Sequence, residues 1–281
     1  MTDLPGRICL VTGATRGIGR ATAEALAKSG AHVLLHGRDS ASVGAVCREM
    51  VRYGQVTGVV GDLSSLAAVR KLASEVAAQH PRLDVLVNNA GTSSPRLVKT
   101  TDGYERTFAV NHLAPFLLTN LLLDKLKAGK AARVVTVSSM AHRGGVLDFD
   151  DLNWEKRKYS GLGAYGASKL ANILFTLELA GRLAGSGVTA NSLHPGVVAT
   201  NIFGTMGVLG KAFAVLFRPF MLSPANGAKT SIYLASSPEV ANITGKFFDK
   251  CREVPPTPAA QDAAAAKRLW EISAKLTGLA R

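Results

Sequence analysis

Six short apolar runs alternate with segments of helical hydrophobic spacing along the chain, and this alternation constrains the fold more than any other feature. The runs are "RICLVT" (7–12), "HVLLH" (32–36), "VTGVV" (56–60), "LDVLVN" (83–88), "RVVTVS" (133–138) and "VTANSLH" (188–194). Apolar residues recur at helical spacing over 17–30, 40–53, 64–80, 102–127, 160–184 and 224–236. Strands that are apolar on both sides need cover on both sides, and consecutive parallel strands need a long crossover. The pattern therefore predicts an α/β fold, a doubly wound parallel sheet with helices on both faces. Ligands of such sheets bind beyond the carboxyl ends of the strands, which makes the residues after each run the candidates for chemistry.

The 281 residues are 47% hydrophobic, enough for a large core. No Pro-, Gly- or Ser-rich stretch divides them, so 1–281 is expected to form one unit. Thirty-three Lys and Arg against 20 Asp and Glu give a formal charge of +13. The charges are scattered and no nucleic-acid module accompanies them, so nucleic acid is not an expected partner. The densest basic run, Lys156, Arg157 and Lys158 beside Trp154 and Tyr159, is expected to be a solvated loop. Cys9, Cys47 and Cys251 have neither metal nor redox spacing and fit a reducing compartment. The chain opens on "MTDLPGR" without a secretory pattern, and a cytoplasmic location is expected.

After the first run, "TGATRGIG" places Gly13, Thr15, Arg16, Gly17, Ile18 and Gly19 at the start of a helix. Glycines there allow a tight turn and close approach to a pyrophosphate, whose charge suits the free N–H groups of a helix start. The second run ends "HVLLHGRDS". Gly37 stands where an NAD-binding chain usually carries an acid, and Arg38 follows, with Arg16 as a second cation for a 2′-phosphate. NADP(H) is favoured; Asp39, as a ribose contact, keeps NAD(H) open. "GDLSS" offers Asp62 as an acceptor and Leu63 as an apolar contact for an adenine. "VNNAG" offers Asn88, Asn89, Ala90 and Gly91, small enough to leave room for a cofactor.

Tyr165 and Lys169 lie four apart in a helical segment, hence on one face. A nearby ammonium favours the phenolate, so the pair forms a tunable acid and base. Ser138 and Ser139 end the fifth run, and Asn111 sits in an otherwise apolar helix, where its amide needs a partner. Taken together and in order, "TGATRGIG", "NNAG", Asn111, the strand-end serine and Tyr-x-x-x-Lys resemble the short-chain dehydrogenase/reductase family over nearly the whole chain. The resemblance implies a Rossmann-type fold and an oxidoreductase with NAD(P) as hydride acceptor. It also implies roles. Tyr165 is the proton donor and acceptor, Lys169 binds the nicotinamide ribose and lowers the tyrosine pKa, Ser139 polarises the substrate oxygen, and Asn111 supports a water relay. "HPGVVAT", with Pro195, Gly196, Val197 and Thr200, resembles the loop over the nicotinamide.

Ser139 and Tyr165 are 26 residues apart, about twice the usual family spacing, because "HRGGVLDFDDLNWEKRKYSG" intervenes. That insertion, "NHLAPFLLT", "YGASKLANILF" and "FFDKCREVPP" resemble the retinol-dehydrogenase-like branch, which implies a lipophilic alcohol, aldehyde or ketone as substrate. The stretch 200–223 corresponds to a substrate-covering segment. Within it, 206–222 sets Leu209, Phe213, Leu216, Phe217 and Phe220 on one face, opposite Lys211 and Arg218, so peripheral membrane contact is the competing expectation. A terminal helix after "PPTP" is expected to pack back through Trp270 and Leu276. A homo-oligomer is left open. The alternative to an enzyme is a catalytically silent NADP(H)-binding regulator of the same fold.

Overall fold

The computed structural model describes residues 3–196 and 222–279. Among these, eight strands form one sheet in the order β3-β2-β1-β4-β5-β6-β7-β8. They are β1 (Ile8–Val11), β2 (His32–Gly37), β3 (Val56–Val60), β4 (Val85–Asn88), β5 (Arg133–Val137), β6 (Thr189–His194), β7 (Phe247–Asp249) and β8 (Arg252–Glu253). All neighbours pair in parallel except β7 with β8.

The helices are α1 (Gly17–Lys28), α2 (Ser40–Met50), α3 (Leu66–Gln79), α4 (Arg106–Phe108), α5 (Ala114–Leu121), α6 (Leu123–Lys127), α7 (Gly161–Arg182), α8 (Pro224–Ser236) and α9 (Ala263–Leu276). Successive strand residues feed opposite layers, as a pleated strand requires. Leu10, Leu34 and Leu86 join a core with α3, α5 and α7. Cys9, Val11, Val33, Leu35, Val85 and Val87 join the other, with α1, α2 and α8. This is the doubly wound α/β fold that the alternation predicts. The strand order reverses between β1 and β4, the place in such sheets beyond whose carboxyl edge ligands bind.

Three elements depart from the sequence reading. The helix expected over 102–127 begins at Arg106 and is interrupted by a π turn, Ala109–Leu113, in which Ala114 N–H reaches back to the Ala109 carbonyl. Pro115 has no N–H for the Asn111 carbonyl, so a regular α turn would leave that group unpaired. β7 and β8 were not expected; they are too short for periodicity to reveal. In the basic run Lys156 and Lys158 are exposed, as expected of a solvated loop, while Arg157 is half-buried. It pairs with Asp148 and Asp151 and lies 3.9 Å from the Trp154 ring centroid, which folds the inserted loop onto itself.

The terminal helix α9 covers α5 and α7. Trp270 stacks on Phe175 at 5.9 Å between ring centroids and meets Phe116 edge-on at 4.9 Å. Leu276 packs against a neighbouring cluster that includes Phe108, Leu113 and Leu269. Phe175 is also against His112, and its side chain is fully buried. Phe175→Ala should therefore cost about 3–5 kcal/mol of stability, read by chemical denaturation; a loss under about 1 kcal/mol would show that this aromatic layer does not fasten α9.

Candidate active site

The site is built at the carboxyl edge of β1, β4, β5 and β6, from the turns that follow them. After β1, the backbone turns at Gly13, whose φ of +64° favours glycine. A Cβ there would also lie 2.9 Å from the Ala90 Cα, so the loops after β1 and β4 meet backbone to backbone. Thr12 stitches them: its hydroxyl oxygen accepts from the N–H groups of Asn89 at 2.9 Å and Ala90 at 3.0 Å and donates to the Val87 carbonyl at 3.2 Å. The Asn89 amide donates to the carbonyls of Thr12 and Gly13.

The helix α1 starts from this loop with Arg16 in the N-cap position, and Arg16 gives it no side-chain cap. Its first turn carries no acid, whereas Asp39, Ser65, Ser160, Ser223 and Asp262 cap α2, α3, α7, α8 and α9. The first N–H groups of α1, at Gly17, Ile18 and Gly19, are thus left for an outside acceptor. Thr15 faces the end of β2, where Arg38 follows Gly37. Arg16 and Arg38 are exposed and form no ion pair within 4.0 Å among the described residues. Asp39 accepts from Ser42 N–H at 2.7 Å, so its carboxylate is engaged as a helix cap. Asp62 is exposed, with one oxygen taking the Ser64 N–H. Leu63 is 6% exposed and packs in the core, and it also lines a small pocket with Thr12, Asn88 and Ala90.

The catalytic candidates converge along α7, whose N-terminus Ser160 caps. Ser138 and Ser139 follow β5 and act differently. The Ser138 hydroxyl donates to the Lys169 carbonyl at 2.7 Å and is buried, whereas the Ser139 hydroxyl accepts from Ala141 N–H and is near enough to the Tyr165 phenol to favour its ionised form. Lys169 donates to the Val137 carbonyl at 2.9 Å, a group that Asn172 also reaches. Asn111, in the π turn, takes the Thr92 N–H at 2.7 Å and donates to the Thr92 carbonyl and the Ser168 hydroxyl, each at 2.9 Å. Ser168 in turn donates to the Tyr165 carbonyl. A Cβ on Gly91 would stand 3.5 Å from Asn111 Oδ1 and 3.6 Å from Lys169 Nζ, which places all three at one point. Pro195 and Gly196 follow β6, and His194 accepts from the Gly196 N–H. Val197, Thr200 and the segment 206–221 lie outside the described residues.

Electrostatics correct one expectation. Burial pushes the Tyr165 phenol up to about 12, opposed by the nearby Ser139 hydroxyl and not by Lys169. The Lys169 nitrogen is 5.6 Å from the phenol ring centroid and is itself lowered to about 8 by burial. Desolvation is the largest influence on each group.

Sequence reasoning passed over the residues that hold this arrangement. Thr12, Thr92, Ser168 and Asn172 act through backbone groups, which no spacing marks. Glu105 is fully buried and accepts from the N–H groups of Thr107 and Phe108 and from the Tyr159 hydroxyl at 3.1 Å. Tyr159 also reaches the Ser94 carbonyl, so the insertion is pinned beside α4 while Ser139 and Tyr165 stay together. The lone signal was a charged residue opening an apolar helix.

A lysine whose pKa falls on folding makes the fold pay for its charge below the folded value, and that cost disappears as pH rises from about 8 toward 10.5. Lys169→Met should therefore stabilise the chain by about 1–3 kcal/mol near neutral pH, since Asn172 still satisfies the Val137 carbonyl. Denaturation across that pH window should show the gain shrinking as pH rises; a destabilised variant at neutral pH would contradict the account.

Comparison with known proteins shows the family. The sequence profile of the short chain dehydrogenase family matches residues 7–207. Human retinol dehydrogenase 13 is 44% identical over 98% of this chain and 86% of its own. A crystal structure of an uncharacterised Mycobacterium paratuberculosis protein superposes with a TM-score of 0.83 at 37% identity, over 99% of this chain and 96% of that one. The Pseudomonas aeruginosa RhlG/NADP active-site complex gives 0.71 at 29% identity, over 88% and 95%. The chain belongs to the short-chain dehydrogenase/reductase family, in its retinol-dehydrogenase-like branch, and is an oxidoreductase acting on CH–OH groups.

Proposed function

We propose that the protein is an NADP(H)-dependent oxidoreductase that interconverts a lipophilic carbonyl compound and its alcohol, with Tyr165 as proton donor and acceptor. The observation that carries this reading is the burial, at one point, of a phenol that keeps its proton and an amine with no carboxylate ion-paired to it among the described residues. A fold retains such a charge at a cost, and function is the usual reason.

The bound dinucleotide supplies or accepts the hydride. Tyr165, protonated at neutral pH, donates its proton as alkoxide charge develops on the substrate oxygen, and Ser139 donates a hydrogen bond to that oxygen. Lys169 binds the nicotinamide ribose and sets positive charge beside the phenolate as it forms. Asn111, locked between Thr92 and Ser168, lines the path by which water returns a proton.

Gly13, Thr15, Gly17, Ile18 and Gly19 receive the pyrophosphate at the uncapped start of α1, with Asp62 toward the adenine and Asn89, Ala90, Gly91, Pro195 and Gly196 along the remainder. Val197 and Thr200 complete the set proposed from the sequence. Arg16 and Arg38 select the 2′-phosphate. The carboxylate of Asp39 caps α2, and a Cβ on Gly37 would lie 2.6 Å from Thr15 Cγ2, so β2 ends without an acid for the ribose. An NADP-bound relative supports this choice. The name of the human relative supports a lipophilic substrate, and Leu162, one turn before Tyr165 on α7, and Leu222, beside Gly196, are exposed apolar side chains.

With a panel of aldehydes, ketones and alcohols, turnover is expected with NADPH in preference to NADH, and Tyr165→Phe should lower kcat by at least about 100-fold while leaving dinucleotide binding intact. A variant as fast as the parent would overturn the role of Tyr165. Arg38→Ala should weaken NADPH about tenfold or more and leave NADH unchanged, measured by fluorescence titration; equal losses for both would refute selection by that arginine.

A further inference from the structure

His36 takes no part in the chemistry above, yet it is 2% exposed and both its ring nitrogens are engaged. Gly13 N–H donates to Nδ1 at 3.2 Å, and Nε2 lies 3.0 Å from the Gly61 carbonyl oxygen. A backbone N–H only donates and a carbonyl only accepts. The two partners therefore admit one form of the ring, neutral with its proton on Nε2. The backbone continues the tie: Ala14 N–H donates to the His36 carbonyl at 2.8 Å, and Gly61 N–H donates to the Gly37 carbonyl at 3.1 Å. One residue thus fastens the turn after β1 and the turn after β3 to the end of β2.

We infer that His36 is a positioning residue for the dinucleotide, whose neutral ring holds the Gly13 amide and the Gly61 turn in the arrangement that receives the cofactor. The inference rests on the dinucleotide-binding reading above. Gly13 has little freedom to adjust, being left-handed and close against Ala90. Without the Nδ1 acceptor its N–H loses that partner, and the loop must move to find another. Protonation has the same effect, because Nδ1 then presents a second donor to an N–H group.

Around the ring, burial opposes protonation and the Asp62 carboxylate favours it, with burial the larger influence. Arg16, Arg38 and Asp39, the other charged groups of the joined turns, are exposed. The pKa of His36 is held below its ordinary 6.5. The neutral ring and its tie therefore persist at pH 6.5 and are lost only as pH falls further, through the lowered pKa.

The test uses the full chain as parent, His36→Ala and His36→Asn, with thermal melts to confirm folding. Amide exchange at Gly13 is read without dinucleotide, and NADPH affinity is read by fluorescence from about pH 8 to about pH 5.5. Since the 2′-phosphate also takes up a proton in this range, the comparison is between chains at each pH. His36→Ala should speed Gly13 exchange, weaken NADPH about tenfold above pH 7, and fall less steeply toward acid than the parent. His36→Asn retains an acceptor near the Nδ1 position and has no proton to gain, so it should recover most of the affinity with the same flatter profile. Parental exchange in His36→Ala overturns the inference, as does faster exchange with unchanged affinity. If the parent binds no dinucleotide, the functional reading fails and takes this inference with it.

Discussion

The interaction on which the site depends is the burial of the Lys169 amine against a backbone carbonyl, with no carboxylate paired to it among the described residues. An ammonium taken from water without a counter-charge is costly, and the cost shows as a lysine that gives up its proton more readily. The surrounding structure holds it there. α7 is buried through Ala164–Thr176, the Ser138 hydroxyl grips the Lys169 carbonyl, and α9 presses Trp270 onto Phe175 two turns further along. The core supplies the stability that the site withdraws.

A second constraint acts at the strand ends, where backbone groups released from the sheet must find partners. Thr12, Asn89 and Asn111 meet that need across three turns, and in doing so they bring β1, β4 and the π turn to one place. The start of α1 is the exception. Its N–H groups have no side-chain cap, which is what a phosphate-binding helix start requires.

Much of this was legible in the chain. Cys9 and Val11 face one layer and Leu10 the other, so an apolar run of this length announces a strand covered on both sides. Tyr165, Lys169, Ser139 and Asn111 could be grouped because parallel strands put all their carboxyl ends at one edge. What escaped depended on neighbours distant in sequence. The π turn at Asn111 has nearly the hydrophobic spacing of an α-helix. Leu63 lies in the turn after β3, where no periodicity tells which way a side chain packs. The pKa values of Tyr165 and Lys169 follow from their burial, which spacing alone does not reveal.

The most direct test of the account is the protonation of Lys169 itself. Nuclear magnetic resonance titration of protein labelled with carbon-13 at the lysine ε position, with Lys169→Met to assign the signal, follows that amine separately from its neighbours. The account predicts one resonance that titrates near 8 and disappears in the variant. If every lysine, Lys169 included, titrates at the ordinary 10.5, the amine is solvated, and the buried acid and base pair described here does not exist.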